Sequence, residues 1–401
     1  MRRPRLAGAG MVAAGVCAGC ASYAPSDGPH EPGSAYRQAE LAPATRPALA
    51  TDEAGLWMVM DDAERRLQTA GNLVRDPALN AYVRDVTCRV AGPYCADIRV
   101  YILRVPDFNA AMAPNGAMTL WTGLLLRSRN EAQLATIIGH EIGHYLARHS
   151  VKRWRDARSK TDFLAFFGIA TGAAGVGWVA DLAAVGVIAG MFAYSRDNER
   201  EADDLGLKVM ADAGYDPREA PTVWRHLVRE QAADPDARTR SVFFATHPAA
   251  EERLDTLAAG AARLAAGGVR GEAGRDAYEA AMLPHRAAFL RDELDVRRFE
   301  RLDALLTMLL EDPTNEGELL YYRGEFYRLR NRDGDLDNAL AAYRAAESHD
   351  GPPPELFRSA GLVHARKGER DLARAAFSRY LALKPDAEDR ELIRLMMEPA
   401  Q

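Results

Sequence analysis

At 401 residues, with 48% hydrophobic and 27% charged side chains, the chain has the make-up of a soluble globular protein of two or three domains. Its formal net charge of −6 comes without a basic stripe able to track phosphates, which excludes nucleic acid as a partner class.

The first 20 residues differ from the rest. Arg2, Arg3 and Arg5 precede a charge-free run from Leu6 to Gly19 that is too short to span as a stable helix, so residues 1–20 read as a secretory signal. Small residues before Cys20 resemble a bacterial lipobox, with Cys17 standing where leucine is usual. Cys20 is therefore expected to be the lipidated N-terminus of the mature chain, the alternative being an ordinary cleaved signal. Ala21 and Ser22 follow, not aspartate, which by the same resemblance directs the chain to the periplasmic face of the outer membrane. A lipidated terminus anchors without spanning. Residues 21–50, rich in Pro, Ala, Ser and Gly, read as a flexible tether.

From Asp52 to Arg89 the apolar spacing is helical. Cys88 and Cys95 are close enough in sequence for a short-loop disulfide in an oxidising compartment, the alternative being two buried thiols. No second Cys/His pair accompanies them, which argues against a zinc role. Ile98–Leu103 alternates and reads as a strand. Asn115-Gly116 marks a turn, and Ala117–Thr122 reads as a second strand. Glu131–His149 is a long helical segment. Residues 163–194 form two apolar runs split by Asp181. Length alone permits a membrane span, but the glycines and the aspartate favour an apolar helical hairpin, buried or lying on a membrane surface.

Residues 258–285 are Ala/Gly-rich and read as a linker. Residues 286–395 then show an internal repeat. Gly324, Ala339, Tyr343 and Ala346 are echoed by Gly361, Ala373 and Phe377 with Pro385 beyond. The two glycines lie 37 residues apart, the roughly 34-residue tetratricopeptide period plus a short insertion near Asn331–Gly334.

His140-Glu141-Ile142-Gly143-His144 fits H-E-x-x-H. Four residues apart on a helix, both imidazoles face one spot, and Glu141 leans over it. A catalytic zinc needs a third ligand from another helix. Glu199 is the candidate, with Asp203 four residues on to orient a ligand imidazole and Glu201 projecting elsewhere. Ala202 and Gly206 would let that helix approach closely. One Zn2+ per chain is expected, with Glu141 as general base toward a peptide carbonyl.

These residues resemble the zinc endopeptidases related to the CAAX prenyl protease and to HtpX, and within them the periplasmic BepA-type proteases that carry tetratricopeptide repeats. The likeness runs from Asp76 to Leu257 and includes Asn109-Ala110, Pro114-x-Gly116, Gly123-Leu124-Leu125 and the E-x-x-x-D of Glu199 to Asp203. It departs at Ala111-Met112. It implies an α+β, mainly helical fold: a gluzincin-type metallopeptidase domain over 51–257 with a small β-sheet, then a helical repeat domain. It also implies that His247, in Thr246-His247-Pro248, lies near the metal; there it would serve as a gate or as an oxyanion donor, the alternative being an ordinary surface histidine beside a helix start. The strand Ala117, Met118, Thr119, Leu120 and Trp121 is expected to pair with extended substrate. Unfolded or misassembled envelope proteins are the expected substrates, and outer-membrane assembly machinery the partner of the repeats. The competing expectations are a chaperone or scaffold with a structural zinc, and an integral membrane protease.

Overall fold

Several helices begin where the sequence supplies a side-chain acceptor. Thr51 caps α1 (Asp52–Gln68), and Asp76 caps α2 (Pro77–Ala91), whose Pro77 suits a first helical position. The computed structural model describes residues 42–159, 194–234, 243, 247 and 250–398. The signal, Cys20, most of the tether and the apolar segment up to residue 193 lie outside the described residues. Among those described, no helix is long and apolar enough to cross a membrane.

A short turn, Gly92–Asp97, follows α2, and the Cys88 and Cys95 sulfurs are bonded across it. The chain then enters β1 (Arg99–Leu103), β2 (Ala110–Met112) and β3 (Ala117–Trp121), ordered β1-β3-β2. The Asn115-Gly116 turn folds β3 back antiparallel on β2, while β1 pairs parallel with the other side of β3. Gly116 has φ +89°, and a Cβ there would meet the Asp97 carbonyl at 2.0 Å. This topology corrects the expectation for Ala117–Trp121: β3 is the central strand, with both edges hydrogen-bonded, and has no edge to offer a substrate. Among the described residues, the other edge of β2 has no strand partner; β2 is a three-residue strand too short to show periodicity.

After α3 (Thr122–Arg127), Asn130 accepts from the Gln133 amide and starts α4 (Glu131–Leu146), a helix buried along its whole length. It crosses α6 (Arg196–Asp212), capped by Ser195, with the two backbones almost touching. A Cβ on Gly139 would lie 2.7 Å from the Gly206 carbonyl, and one on Gly143 would lie 2.5 Å from that of Ala202. The small residues foreseen at 202 and 206 therefore permit this crossing. Between the two helices in sequence lies α5 (His149–Ser159), and α7 (Ala220–Ala233) and α8 (Ala250–Ala266) complete the surroundings of the site.

The segment expected as a linker is largely helical. It holds the end of α8 and the first half of α9 (Arg275–Val296), so a boundary at residue 285 would cut a helix. α9 and α10 (Phe299–Glu311) also share a buried ionic network with the preceding domain. Arg127 reaches Glu230 at 2.7 Å and Glu293 at 2.5 Å, and Arg301 reaches Asp107 at 3.0 Å and Glu230 at 3.2 Å. Helix pairs follow: α11 (Glu316–Arg330) with α12 (Asp335–Ala346), and α13 (Glu355–Arg366) with α14 (Arg370–Leu383), then α15 (Arg390–Met397). In the first pair Gly324 lies under the Tyr343 ring, and in the second Gly361 lies under Phe377. The architecture is α+β and mainly helical, with one small three-stranded sheet among the described residues.

Candidate metal centre

α4 presents His140 and His144 on one face, and α6, held close by the glycine contact, presents Glu199 to them. The two Nε2 atoms are 3.0 Å apart, and Glu199 oxygens lie 3.6 Å from His140 Nε2 and 3.4 Å from His144 Nε2. His247 closes the group, its Nδ1 3.2 Å from His140 Nε2 and 3.1 Å from Glu199 Oε1. All four residues are buried, and their donor atoms fall within 4.8 Å of one another. The structure thus gathers His140, His144, Glu199 and His247.

Outer partners settle which ring nitrogens face inward. Asp203 Oδ1 is 2.9 Å from His140 Nδ1 and accepts its N–H, leaving the Nε2 lone pair for the centre. Arg253 binds the same carboxylate at 2.6 and 2.8 Å and also approaches His140 Nδ1 at 2.9 Å. A charged guanidinium and a protonated Nδ1 share the Asp203 acceptor, and neither donates to the other. Arg253 further pairs with Glu199 Oε2 at 2.7 Å and lies over the Trp224 ring at 3.8 Å. Burial pushes the Glu199 and Asp203 carboxyls up, but Arg253 with the neighbouring imidazoles outweighs it and holds both below the ordinary range, Glu199 well below. Burial, aided by His140, holds His144 well below the usual imidazole range, so that it is neutral and able to ligate.

The ring nitrogens of His140 and His144 and the Glu199 carboxylate converge on one point, a donor set that suits a cation. Three N/O ligands with a further corner match catalytic zinc. Glu141 sits beside the group and is not needed in it. It is buried, its Oε1 has no hydrogen-bond partner among the described residues, and that atom is 3.7 Å from His247 Nε2.

Three residues that pack against the centre escaped sequence reasoning. Arg253 follows Glu251-Glu252 and reads as an exposed helix start, yet it is fully buried in the centre. Tyr194 stacks on His144 with ring centroids 3.8 Å apart. His149 lies behind His144, Nδ1 to Nδ1 at 2.8 Å. The spacing of His149 gave no signal, because the left-handed backbone of Arg148 (φ 55°) ends α4 and turns the next residue back.

Comparison with known proteins places these residues. Residues 73–261 match the profile of Peptidase family M48. The chain is 28% identical over 200 residues to the beta-barrel assembly-enhancing protease of Escherichia coli, covering 47% of this chain and 40% of that protein. It is 35% identical over 165 residues to the mitochondrial metalloendopeptidase OMA1 of Arabidopsis thaliana, covering 40% and 30% of the two chains. The Schizosaccharomyces pombe counterpart of the latter is 32% identical over 158 residues, covering 39% and 44%. The chain thus spans less than half the length of these curated relatives. The H-E-x-x-H helix, Glu199 and His247 all fall inside the stretch that is similar to Peptidase family M48 and to these metallopeptidases.

Proposed function

We propose that the protein is a zinc-dependent endopeptidase of the bacterial cell envelope that cuts unfolded or misassembled proteins. The observation that carries this reading is Glu141: a buried carboxylate beside the group of His140, His144, Glu199 and His247, its Oε1 without a hydrogen-bond partner among the described residues, a cost that a purely structural zinc would not require. His140, His144 and Glu199 hold the metal in this reading. Zinc bound there supplies a Lewis acid that makes water nucleophilic at neutral pH. Glu141 takes a proton from the attacking water and returns it to the leaving amine. Ala110 and Met112, alternating with the residues of β2 that bond β3, turn their backbone groups to the edge that has no strand partner among the described residues, where an extended segment can pair. Recognition through backbone suits substrates defined by being unfolded.

His247 is the resting gate in this account, since its Nδ1 lies 3.2 Å from His140 Nε2 and 3.1 Å from Glu199 Oε1, among the atoms that would hold the metal. His247→Ala is expected to raise cleavage of a short peptide at matched zinc occupancy. A fall of roughly a hundredfold would make it an oxyanion donor instead. The signal and Cys20 support export and an outer-membrane lipid anchor. The helix pairs from Glu316 to Leu383 support a tetratricopeptide-like surface for outer-membrane assembly partners, in keeping with the name of the Escherichia coli relative. The reading is tested by casein cleavage with the purified chain. A chelator should abolish it and one equivalent of zinc restore it; cleavage that survives complete metal removal would overturn the proposal.

A further inference from the structure

His140 and His144 are oriented from outside in different ways. His140 leans on a carboxylate directly, through Asp203. Behind His144 stands a second imidazole, and only behind that a carboxylate. His144 Nδ1 lies 2.8 Å from His149 Nδ1, and His149 Nε2 lies 3.1 Å from Glu201 Oε2. His149 is buried, whereas the Glu201 side chain is 53% exposed. Glu201 had been expected to project away from the centre, and it does not ligate. Its carboxylate nevertheless reaches the centre through one ring.

The protons on this row have one consistent arrangement. A carboxylate accepts, so His149 must carry its proton on Nε2 and keep a lone pair on Nδ1. That lone pair accepts the N–H of His144 Nδ1, which leaves the His144 Nε2 lone pair facing His140 and Glu199. Reversing the row would put a lone pair of His149 against the Glu201 carboxylate and move the His144 proton to Nε2, where it would point at His140 Nε2, 3.0 Å away, and leave no lone pair for a metal. The Glu201 end therefore selects these tautomers, and they are the ones that metal ligation by His144 needs. The left-handed residue Arg148 brings His149 into line, and Tyr194 stacked on His144 keeps that ring from turning.

We infer that Glu201 and His149 form a relay that fixes the tautomer and orientation of His144, so that both are positioning residues for the metal without touching it. This inference rests on the zinc reading of the centre. It predicts that the two residues act in series: Glu201 matters only through the Nε2–H of His149. Asparagine at 149 can present its side-chain oxygen near the place of Nδ1 and still accept from His144, but it offers no ring N–H to Glu201.

The test is zinc affinity of the full chain, measured by competition with a chromogenic chelator, with folding checked by circular dichroism. Loss of an outer partner of a ligand histidine typically weakens metal binding ~10–100-fold. His149→Ala and His149→Leu should both fall in that range, and His149→Asn should recover most of the loss. Glu201→Ala should weaken binding by a smaller factor in the wild-type background and have no effect in the His149→Asn background. Should His149→Ala fail to fold, the half-exposed Glu201 variants and their dependence on residue 149 still decide. Wild-type affinity in Glu201→Ala, equal weakening by Glu201→Ala in both backgrounds, or equal affinities for the Leu and Asn variants would each overturn the relay. A wild-type chain that binds no zinc, or that binds it unchanged in His140→Ala, would instead refute the metal centre itself.

Discussion

Glycine is used against opposite neighbours in the two halves of the molecule. In the peptidase half, Gly139 and Gly206 meet backbone to backbone, and a Cβ on either would sit 2.7 Å from main-chain atoms of the other helix. In the C-terminal half, Gly324 and Gly361 meet aromatic rings, Tyr343 and Phe377, at 2.2 and 2.5 Å from the place of a Cβ. A ring can shift; two helix backbones cannot part without moving everything they carry. On α4 and α6 what they carry is His140, His144 and Glu199. In the first half, then, a glycine sets ligand geometry, and in the second it spaces helices within a repeating unit.

Substitution separates the two uses. Gly206→Val is expected to abolish zinc binding as well as lower stability, because overpacking by ~1–3 kcal/mol or more acts directly on the ligand distances. Gly324→Val should lower stability by a comparable amount while one zinc stays bound. Zinc content and thermal melts of both variants measure this, and equal zinc retention would erase the distinction.

Next in size is the seam between the halves. Arg127→Ala leaves Glu230 and Glu293 buried without their shared cation, and breaking such a group typically costs about 3–5 kcal/mol. Denaturant unfolding should show the loss. A change under 1 kcal/mol would mean the halves are joined by apolar packing and not by this network. Truncation at residue 285 should fail for the same reason, since it removes Glu293 and Arg301 together. The smallest expected effect is at the start of α4: Asn130→Ala removes the cap on the Gln133 amide and should cost about 1 kcal/mol with ligand geometry preserved. Loss of zinc there would show that the helix start, and not the glycine crossing, positions the histidines.

The same contrast explains what could be read in the sequence. His140, Glu141, His144, Glu199 and Asp203 were legible because helical periodicity alone puts them on two faces, and Ala202 and Gly206 because small residues mark a crossing. The helix pairs were legible through repetition of Gly324 and Gly361. The sheet order was not. Ala117–Trp121 has the pattern of a strand, but nothing in it says whether its edges are taken, and β2 is too short to announce itself. Arg253 and His149 were hidden for a related reason. Each is brought to the centre by a change of chain direction, at α8 and at Arg148, and periodicity describes only segments that continue straight.

The central claim is that a metal site built by α4 and α6 is worked by Glu141, and Glu141→Gln tests it most directly. Gln nearly matches the shape of Glu and cannot take up a proton. The variant should retain one zinc per chain and the wild-type melt, while cleavage of an unfolded protein falls by roughly 10²–10⁴. A variant that loses its zinc, or that keeps it and cleaves at the wild-type rate, would contradict the account.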